Sequence, residues 1–343
     1  MKVLVFMGGF SFERDVSLDS GRAICNALEK SGHEVIALDT GAGAKLPDSY
    51  AKALSSSVHP DPPDIHELAK LDKTMTLRSV NGIDLADVDV VFIALHGGSG
   101  EDGTIQALLD LAGVPYTGSG VLASALAMDK DMSKKIFERE RIPTPDWMIV
   151  KSNTKMDYND CSRKIVERFG VPVIVKPSDA GSTVGLTLVK SEDGLMAALE
   201  SAGEFTQKIM IEKYIAGREL TVAVLCDRPL PVVEIIPSHE LYDYECKYLP
   251  GMSKYIVPAE IDDRLTTELQ ELGLKAFRAL GCSGYARVDF RVDSQGNPYC
   301  LEVNTLPGMT DTSLVPKAAK VASISFRKLV EIICKEAIER ARV

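Results

Sequence analysis

The first third of the chain alternates short apolar runs with segments of helical periodicity. The apolar runs, each typical of a buried strand, are residues 2–9, 33–40 and 88–97. Helices are predicted between and after them, over residues 17–30 and 104–111. This alternation favours a doubly wound parallel sheet. Between residues 41 and 82 the pattern weakens into a Pro-, Ser- and Asp-rich stretch, which indicates an irregular connection with a short helix near residues 65–71.

The rest of the chain is richer in strands that follow one another directly. After Gly118 the pattern predicts a helix over residues 132–141, and then two strands, VPVIVKP and GLTLVK, joined by a loop at residues 178–184. From about residue 212 onwards strands dominate, with helices predicted over residues 263–280 and 324–340. We therefore predict an α/β protein whose later part has α+β character.

Two strands near the end, Tyr285–Val292 and Pro298–Asn304, each have an apolar and a polar face. The polar positions are Arg287, Asp289 and Arg291 on the first strand and Cys300, Glu302 and Asn304 on the second. The apolar positions are Val288, Phe290 and Val292 on the first and Tyr299, Leu301 and Val303 on the second.

If residues 294–297 form a four-residue turn, Asp289 lies opposite Glu302, and Asn304 follows on the same face. Hard oxygen ligands of this kind suit Mg²⁺. The alternative is an ordinary solvated polar face. Two facing carboxylates repel each other, however, unless a cation or Arg287 lies beside them.

Two further segments could hold a nucleotide. The loop KPSDAGSTVG, residues 176–185, combines glycines, hydroxyls and Lys176 in a form that can cradle a phosphate, although an ordinary long hairpin turn is the alternative. The segment IEKYIAGREL, residues 211–220, could offer backbone groups to an adenine and Glu219 to ribose hydroxyls. A surface strand end explains the same residues.

The segment after the first strand, GGFSFERDVSLDSG, lies where doubly wound sheets bind ligands. Asp39 at the end of the second strand supports a dinucleotide site. The G-x-G-x-x-G pattern of such sites is absent, however, and Glu13 and Asp15 place negative charge where a pyrophosphate would lie. Glu13 is better suited to bind an ammonium group. His96, in LHGGSGEDG, follows a buried strand, and a single histidine there is more often a hydrogen-bonded packing residue than a catalyst.

Composition narrows the function classes. A chain of 343 residues with 45% hydrophobic content can form two or three domains. Its net charge of -10 argues against binding to nucleic acids, which requires a basic patch. Seven cysteines without a C-x-x-C pair indicate reduced thiols rather than disulfides or a zinc site. No apolar run approaches the roughly 18 residues of a membrane span, and the apolar start lacks the features of a signal peptide, so we expect a cytoplasmic protein with no membrane partner.

Taken in order, the segments resemble the D-alanine:D-alanine ligases of the ATP-grasp superfamily. The matching motifs run along nearly the whole chain: GG-x-S-x-ER-x-VSL, LHG-x-x-GEDG, YTGSG, MDK, VIVKP-x-x-x-GS-x-VG, YDYE-x-KY and E-x-N-x-x-PGMT. The resemblance implies three domains, at residues 1–118, 119–211 and 212–343, of which the last two form the ATP-grasp pair. It also implies ATP as co-substrate, two Mg²⁺ ions that Mn²⁺ could replace, two D-alanine molecules as substrates, a role in peptidoglycan precursor synthesis, and a homodimer.

The resemblance also assigns site residues. The nucleotide positions are Lys130, Lys176, Ser182, Thr183, Glu212, Lys213, Ile215, Glu219, Lys247 and Asn304. The metal positions are Asp289, Glu302 and Asn304. The substrate positions are Glu13, His96, Arg287, Gly308, Ser313 and Leu314. The resemblance implies that Glu13 holds the ammonium group of the first D-alanine and that Ser182 and Tyr248 link to it.

By the same resemblance, Arg287 and the Gly308 N–H stabilise a tetrahedral oxyanion, and Ser313 with Leu314 receives the carboxylate of the second substrate. Tyr248 favours a peptide over an ester product. The chain has Cys246 where alanine is common in relatives. Three competing functions remain: an ATP-grasp ligase with another acceptor, a nicotinamide-dependent oxidoreductase, and a nucleotide-binding module without catalysis.

Overall fold

The computed structural model describes residues 1–42, 44–45, 74, 76–77, 85–152, 158–181, 183–249 and 251–342. Its helices are α1 (Arg14–Lys30), α2 (Thr104–Ala112), α3 (Val121–Met128), α4 (Lys130–Arg139), α5 (Tyr158–Phe169), α6 (Leu195–Gly203), α7 (Tyr244–Tyr248), α8 (Asp263–Ala279), α9 (Leu314–Val321) and α10 (Phe326–Arg340). The helix expected near residues 65–71 and the candidate Ser182 lie outside the described residues.

The strands of the described residues form three sheets. They are β1 (Lys2–Met7), β2 (Glu34–Asp39), β3 (Ala44–Lys45), β4 (Val90–Ile93), β5 (Trp147–Lys151), β6 (Val173–Pro177), β7 (Thr187–Val189), β8 (Lys208–Lys213), β9 (Arg218–Leu225), β10 (Arg228–Pro229), β11 (Val233–Pro237), β12 (Ser253–Ile256), β13 (Tyr285–Val292) and β14 (Pro298–Asn304).

The first sheet has the order β3-β2-β1-β4, and β1 pairs in parallel with both β2 and β4, as the sequence predicts. Strand β1, buried from Val3 to Met7, is followed by Gly8, where φ is +75° and a Cβ would collide with the Asp39 carboxylate. Asp39 forms a bidentate ion pair with Arg14, at 2.9 and 2.5 Å. Its carboxylate is therefore committed to that pair rather than to the ribose of a dinucleotide.

The other two sheets are antiparallel. The second has the order β5-β8-β6-β7, and residue 211, the last of the expected central domain, lies within β8. The third has the order β12-β11-β9-β13-β14, with β10 on β9, and α8 packs on it. The C-terminal helix α10 packs against α1 and β4, so the end of the chain completes the first core.

Helix ends follow local capping chemistry. The helix predicted over residues 132–141 begins at Lys130, because the Asp129 carboxylate accepts the N–H groups of Asp131 and Met132 at 3.1 and 3.3 Å.

The sequence pattern did not predict α3, α5, α6, α7 or α9. Among the described helices, none combines the length and the apolar character needed to cross a bilayer.

Candidate active site

The hairpin of β13 and β14 places two carboxylates face to face. Asp289 pairs with Glu302, and Arg287 pairs with Asn304, which confirms the pairing expected from the sequence. The connection differs from the expectation, because five residues, 293–297, separate the strands instead of four. A bulge directly after Asp289 absorbs the extra residue and restores the expected register.

The same bulge makes part of the predicted facing wrong. Strict alternation placed Cys300 on the polar face with Glu302, and Leu301 on the apolar face. In the structure Cys300 is fully buried in the core that also holds Phe290, whereas Leu301 lines a cavity. Leu301 has no ladder partner, so the side-chain alternation reverses there.

The oxygen atoms of this hairpin fit a divalent cation. Asn304 Oδ1 is buried and has no hydrogen-bond partner among the described residues. Burial by itself would raise the pKa of Glu302, but Lys130, Lys247 and Lys176 outweigh it and hold that pKa far below its usual range. Glu302 is therefore ionised and able to bind a cation.

Asp289 is buried and bidentately bound by Arg287, with two contacts of 2.8 Å. Oδ1 accepts from Nε alone and keeps a second lone pair for a metal, whereas Oδ2 accepts from both Nε, at 3.2 Å, and Nη2. Two carboxylates and an amide oxygen form the donor set that Mg²⁺ prefers, so the residues present fit the ion that the sequence predicts.

A cleft of about 950 Å³, open to solvent, lies between the loop after β6, the end of β8 and this hairpin. It is lined by most of the nucleotide candidates, namely Lys130, Lys176, Thr183, Glu212, Lys213, Ile215, Glu219 and Lys247. Asn304 lines the neighbouring cavity instead. Apolar walls from Ile174, Val184 and Leu301 give the cleft a surface on which a flat base can lie.

A buried ion-pair cluster lies in the wall of the cleft, at Lys176 and Glu212. Glu212 Oε1 accepts from Lys176 Nζ at 3.0 Å, and its Oε2 lies 2.7 Å from Lys134 Nζ. Burial raises the pKa of Glu212, but the two lysines outweigh it and keep the carboxylate ionised. Sequence reasoning missed Lys134, although it lies four residues after Lys130 on one helix and so shares its face.

A second, partly buried ion pair lines the same cleft. Arg291 Nη1 is 3.2 Å from Glu219 Oε2, and Arg291 Nε donates to the Ile215 carbonyl at 3.1 Å. Burial raises the pKa of Glu219 despite this arginine. Arg291 thus fixes both a candidate ribose ligand and the strand connection beside it.

The second cavity, about 1160 Å³ and also open to solvent, contains all the described substrate candidates: Glu13, His96, Arg287, Gly308, Ser313 and Leu314. Tyr248 donates its hydroxyl to Glu13 Oε1 at 2.6 Å, which is one half of the expected link. Ser182, the other half, lies outside the described residues. A Cβ on Gly97 or Gly181 would lie 2.7 or 3.0 Å from Glu13 Oε2, so either substitution would displace this carboxylate oxygen.

His96 bridges two segments of the cavity wall. Its Nδ1 lies 2.7 Å from the Leu306 carbonyl, which can only accept, so Nε2 accepts from the Ser20 hydroxyl at 2.9 Å. Burial lowers the pKa of His96, which stays neutral. The ring is thus both a packing residue and part of the wall.

Sequence reasoning also missed Glu101, a buried residue of the same wall. Burial and the nearby Glu13 raise its pKa to about 8, although the Gly97 N–H, Arg287 and Lys130 act in the opposite direction. The available signal was its place in LHGGSGEDG, directly after a buried strand.

Comparisons with known proteins agree along the whole chain. The family models described as D-ala D-ala ligase N-terminus and C-terminus match residues 2–119 and 136–335. A D-alanine--D-alanine ligase of Synechococcus sp. (strain JA-2-3B'a(2-13)) is 41% identical over 344 residues, covering 100% of this chain and 95% of that protein. One of Halalkalibacterium halodurans is 44% identical over 336 residues, covering 96% and 97%.

Solved structures agree as well. The D-alanine--D-alanine ligase of Bacillus anthracis complexed with ATP matches with a TM-score of 0.76 at 32% identity, over 100% of this chain and 99% of that one. The ligase of Coxiella burnetii matches with a TM-score of 0.80 at 27% identity, over 100% and 95%. These matches confirm the predicted fold class, a parallel α/β sheet followed by an ATP-grasp pair. The chain therefore belongs to the D-alanine--D-alanine ligase family.

Proposed function

We propose that this chain is an ATP-dependent ligase that joins two D-alanine molecules into D-alanyl-D-alanine for peptidoglycan precursor synthesis, with release of ADP and phosphate. The observation that carries the proposal is the common wall of the two cavities, which is formed by Lys130, Gly181, Tyr242, Lys247 and Glu302. A phosphate donor in one cavity and a carboxylate in the other therefore meet at these residues. Such proximity supplies much of the rate of a group transfer.

In the first step, a carboxylate oxygen of the first D-alanine attacks the γ-phosphorus of ATP, and ADP leaves. Glu13 holds the ammonium group of this substrate, because it is the carboxylate of the cavity that Tyr248 orients. Lys130 and Lys176 stabilise the negative charge on the transferred phosphoryl group. A divalent ion, Mg²⁺ or Mn²⁺, at Asp289, Glu302 and Asn304 would neutralise phosphate charge.

In the second step, the neutral amine of the second D-alanine attacks the acylphosphate carbonyl carbon and gives a tetrahedral oxyanion. Arg287, whose pKa is raised above its usual range by the nearby Asp289, stays charged and stabilises this oxyanion together with the Gly308 N–H. The bond between the carbonyl carbon and the bridging oxygen then breaks, and the phosphate leaves with the proton that the amine loses. Ser313 and Leu314 lie at the N-terminus of α9, where backbone N–H groups attract the carboxylate of the acceptor.

The proposal also includes the domain organisation and the oligomeric state of the protein. The three domains are residues 1–118, 119–211 and 212–343, and the active unit is a cytoplasmic homodimer. Two large apolar side chains, Leu111 on α2 and Leu122 on α3, are 89% and 71% exposed on neighbouring helices, which supports a partner surface there. Sedimentation of the purified protein tests the dimer, and a monomer at all concentrations would contradict it.

The decisive experiment is phosphate release by the purified protein with ATP, Mg²⁺ and D-alanine. We expect release that depends on D-alanine and equals the amount of dipeptide detected by mass spectrometry. Stoichiometric release with another amine acceptor but not with D-alanine would assign a different ligase. Absence of turnover with intact ATP binding would assign a binding module.

A further inference from the structure

A group of metal-ligating side chains lies outside the active site, in the segment 239–248 that we name the lid segment. The imidazole of His239, the carboxylate of Asp243 and the thiol of Cys246 each offer one ligand atom, and the three atoms lie within 4.8 Å of one another. The lid segment also carries Tyr248, whose hydroxyl reaches Glu13 in the substrate cavity. The arrangement of the three ligands is therefore formed while the lid segment contacts the catalytic cavity.

The geometry is close to that of a zinc site. His239 Nδ1 is 2.7 Å from Asp243 Oδ2, which is a hydrogen bond that a metal would replace. Zinc bonds of roughly 2.0 to 2.3 Å in tetrahedral geometry separate neighbouring ligand atoms by about 3.3 to 3.8 Å. The required movements are therefore within reach of side-chain rotation.

The surroundings orient each ligand. Asp243 Oδ1 accepts the Cys246 N–H at 2.9 Å, which leaves Oδ2 directed toward the histidine. Glu245 Oε2 lies 3.9 Å from His239 Nε2, beyond hydrogen-bond distance, and a small side-chain rotation would bring it into the carboxylate–histidine pair that orients metal-bound imidazoles. Burial and the nearby Asp243 raise the pKa of the Cys246 thiol, so the thiol is protonated until an ion binds, whereas the N–H groups of His239 and Ser238 act in the opposite direction and would stabilise a metal-bound thiolate.

The three ligand side chains differ in their exposure to solvent. Cys246 is 1% exposed, whereas the side chains of His239 and Asp243 are 40% and 41% exposed. An ion can therefore reach the sulfur from the solvent side and keep a water as its fourth ligand. The combination of thiolate, imidazole and carboxylate selects zinc over magnesium, which prefers the all-oxygen set of the hairpin.

We propose that His239, Asp243 and Cys246 bind one Zn²⁺ ion on the lid segment and that this ion holds the segment against the catalytic cavity. On binding, the Cys246 thiol loses its proton to solvent as the Zn–S bond forms. Because the ion joins residue 239 to residue 246, it stiffens a segment that lines the substrate cavity through Tyr242, Lys247 and Tyr248. Zn²⁺ therefore lowers turnover without entering the active site.

Cobalt provides the direct test, since Co²⁺ bound to a thiolate gives a charge-transfer absorption that oxygen ligands do not give. Titration of reduced, metal-free protein with Co²⁺ should give this band at one ion per chain, Zn²⁺ should remove it, and excess Mg²⁺ should not. Cys246→Ala should abolish the band. His239→Ala, at an exposed position, should weaken binding at least about tenfold while the band remains, and Glu245→Gln should weaken it about ten- to a hundredfold.

Cys161→Ser is the matched control and should leave the band unchanged. A wild-type protein without the band, or a band that survives Cys246→Ala, would overturn the site. If Cys246→Ala fails to fold, His239→Ala decides, and unchanged cobalt affinity in that variant would refute the assignment. Turnover measured at saturating Mg²⁺ tests whether the bound Zn²⁺ lowers activity. Zn²⁺ should inhibit the wild type but not Cys246→Ala. Equal inhibition of both proteins would show that Zn²⁺ inhibits at another site.

Discussion

Replacement of Tyr248 by phenylalanine tests the connection between the lid segment and the choice of acceptor. In the structure the phenol hydroxyl donates to Glu13 Oε1 at 2.6 Å, in a partly buried position. Tyr248→Phe removes that donor and leaves the carboxylate with one partner fewer. The ring itself, which packs edge-on against Tyr244 at 4.8 Å, is retained.

A hydrogen bond to a charged group contributes about 1.5 to 3 kcal/mol. Since 1.4 kcal/mol corresponds to a factor of ten, we expect kcat/KM for D-alanine as acceptor to fall about ten- to a hundredfold. The amine acceptor must be neutral to attack, and its neutral fraction falls tenfold for each pH unit below its pKa. D-lactate carries no ammonium group, so a looser lid should permit D-alanyl-D-lactate, most of all near pH 6.

The assay supplies ATP, Mg²⁺ and an equal mixture of D-alanine and D-lactate, and mass spectrometry measures both products across pH. The ratio of ester to peptide should rise in Tyr248→Phe and should rise further as pH falls. Tyr255→Phe is the control, because its hydroxyl lies 3.1 Å from the Tyr242 hydroxyl on the same cavity wall. If the product ratio is unchanged in Tyr248→Phe, or changes equally in the control, then Ser313 and Leu314 rather than Tyr248 determine which acceptor reacts.

Three further predictions concern the same cavities. Glu302→Gln should reduce turnover more than tenfold at saturating Mg²⁺, a loss above about 1.4 kcal/mol, and a smaller loss in a steady-state assay would refute the metal assignment. Arg287→Lys should lower kcat far more than it weakens ATP binding, because the guanidinium acts on charge that develops during reaction, and equal losses in calorimetry and kinetics would assign it to ground-state phosphate binding instead. Glu101 binds its proton more tightly in the folded state, so stability should fall as pH rises from about 4.5 to about 8. In urea titrations Glu101→Gln should flatten this slope and be more stable than wild type near pH 8, and an unchanged slope would show that Glu101 does not titrate there.

The hairpin shows where sequence patterns succeed and where they stop. Alternation along two strands predicted that Asp289 and Glu302 face each other, and the structure has that pair. The turn length behind the prediction was wrong by one residue, and the bulge beside Leu301 compensated for it. A bulge is fixed by packing: Cys300 fits the core, and its N–H donates to the Pro143 carbonyl at 2.7 Å, a contact between residues far apart in the chain.

By itself the sequence determined the parallel pairing of β1 with β2 and β4, the facing of Asp289 and Glu302 on the last two strands, and the ordered motifs that place the chain in its family. These features depend on local periodicity and on neighbours in the chain. Only the tertiary structure decided that Lys134 reaches Glu212 and that Glu101 is buried near Glu13. Pairing between residues far apart, and the burial that shifts a pKa, arise from tertiary packing, and no periodicity in the chain encodes them.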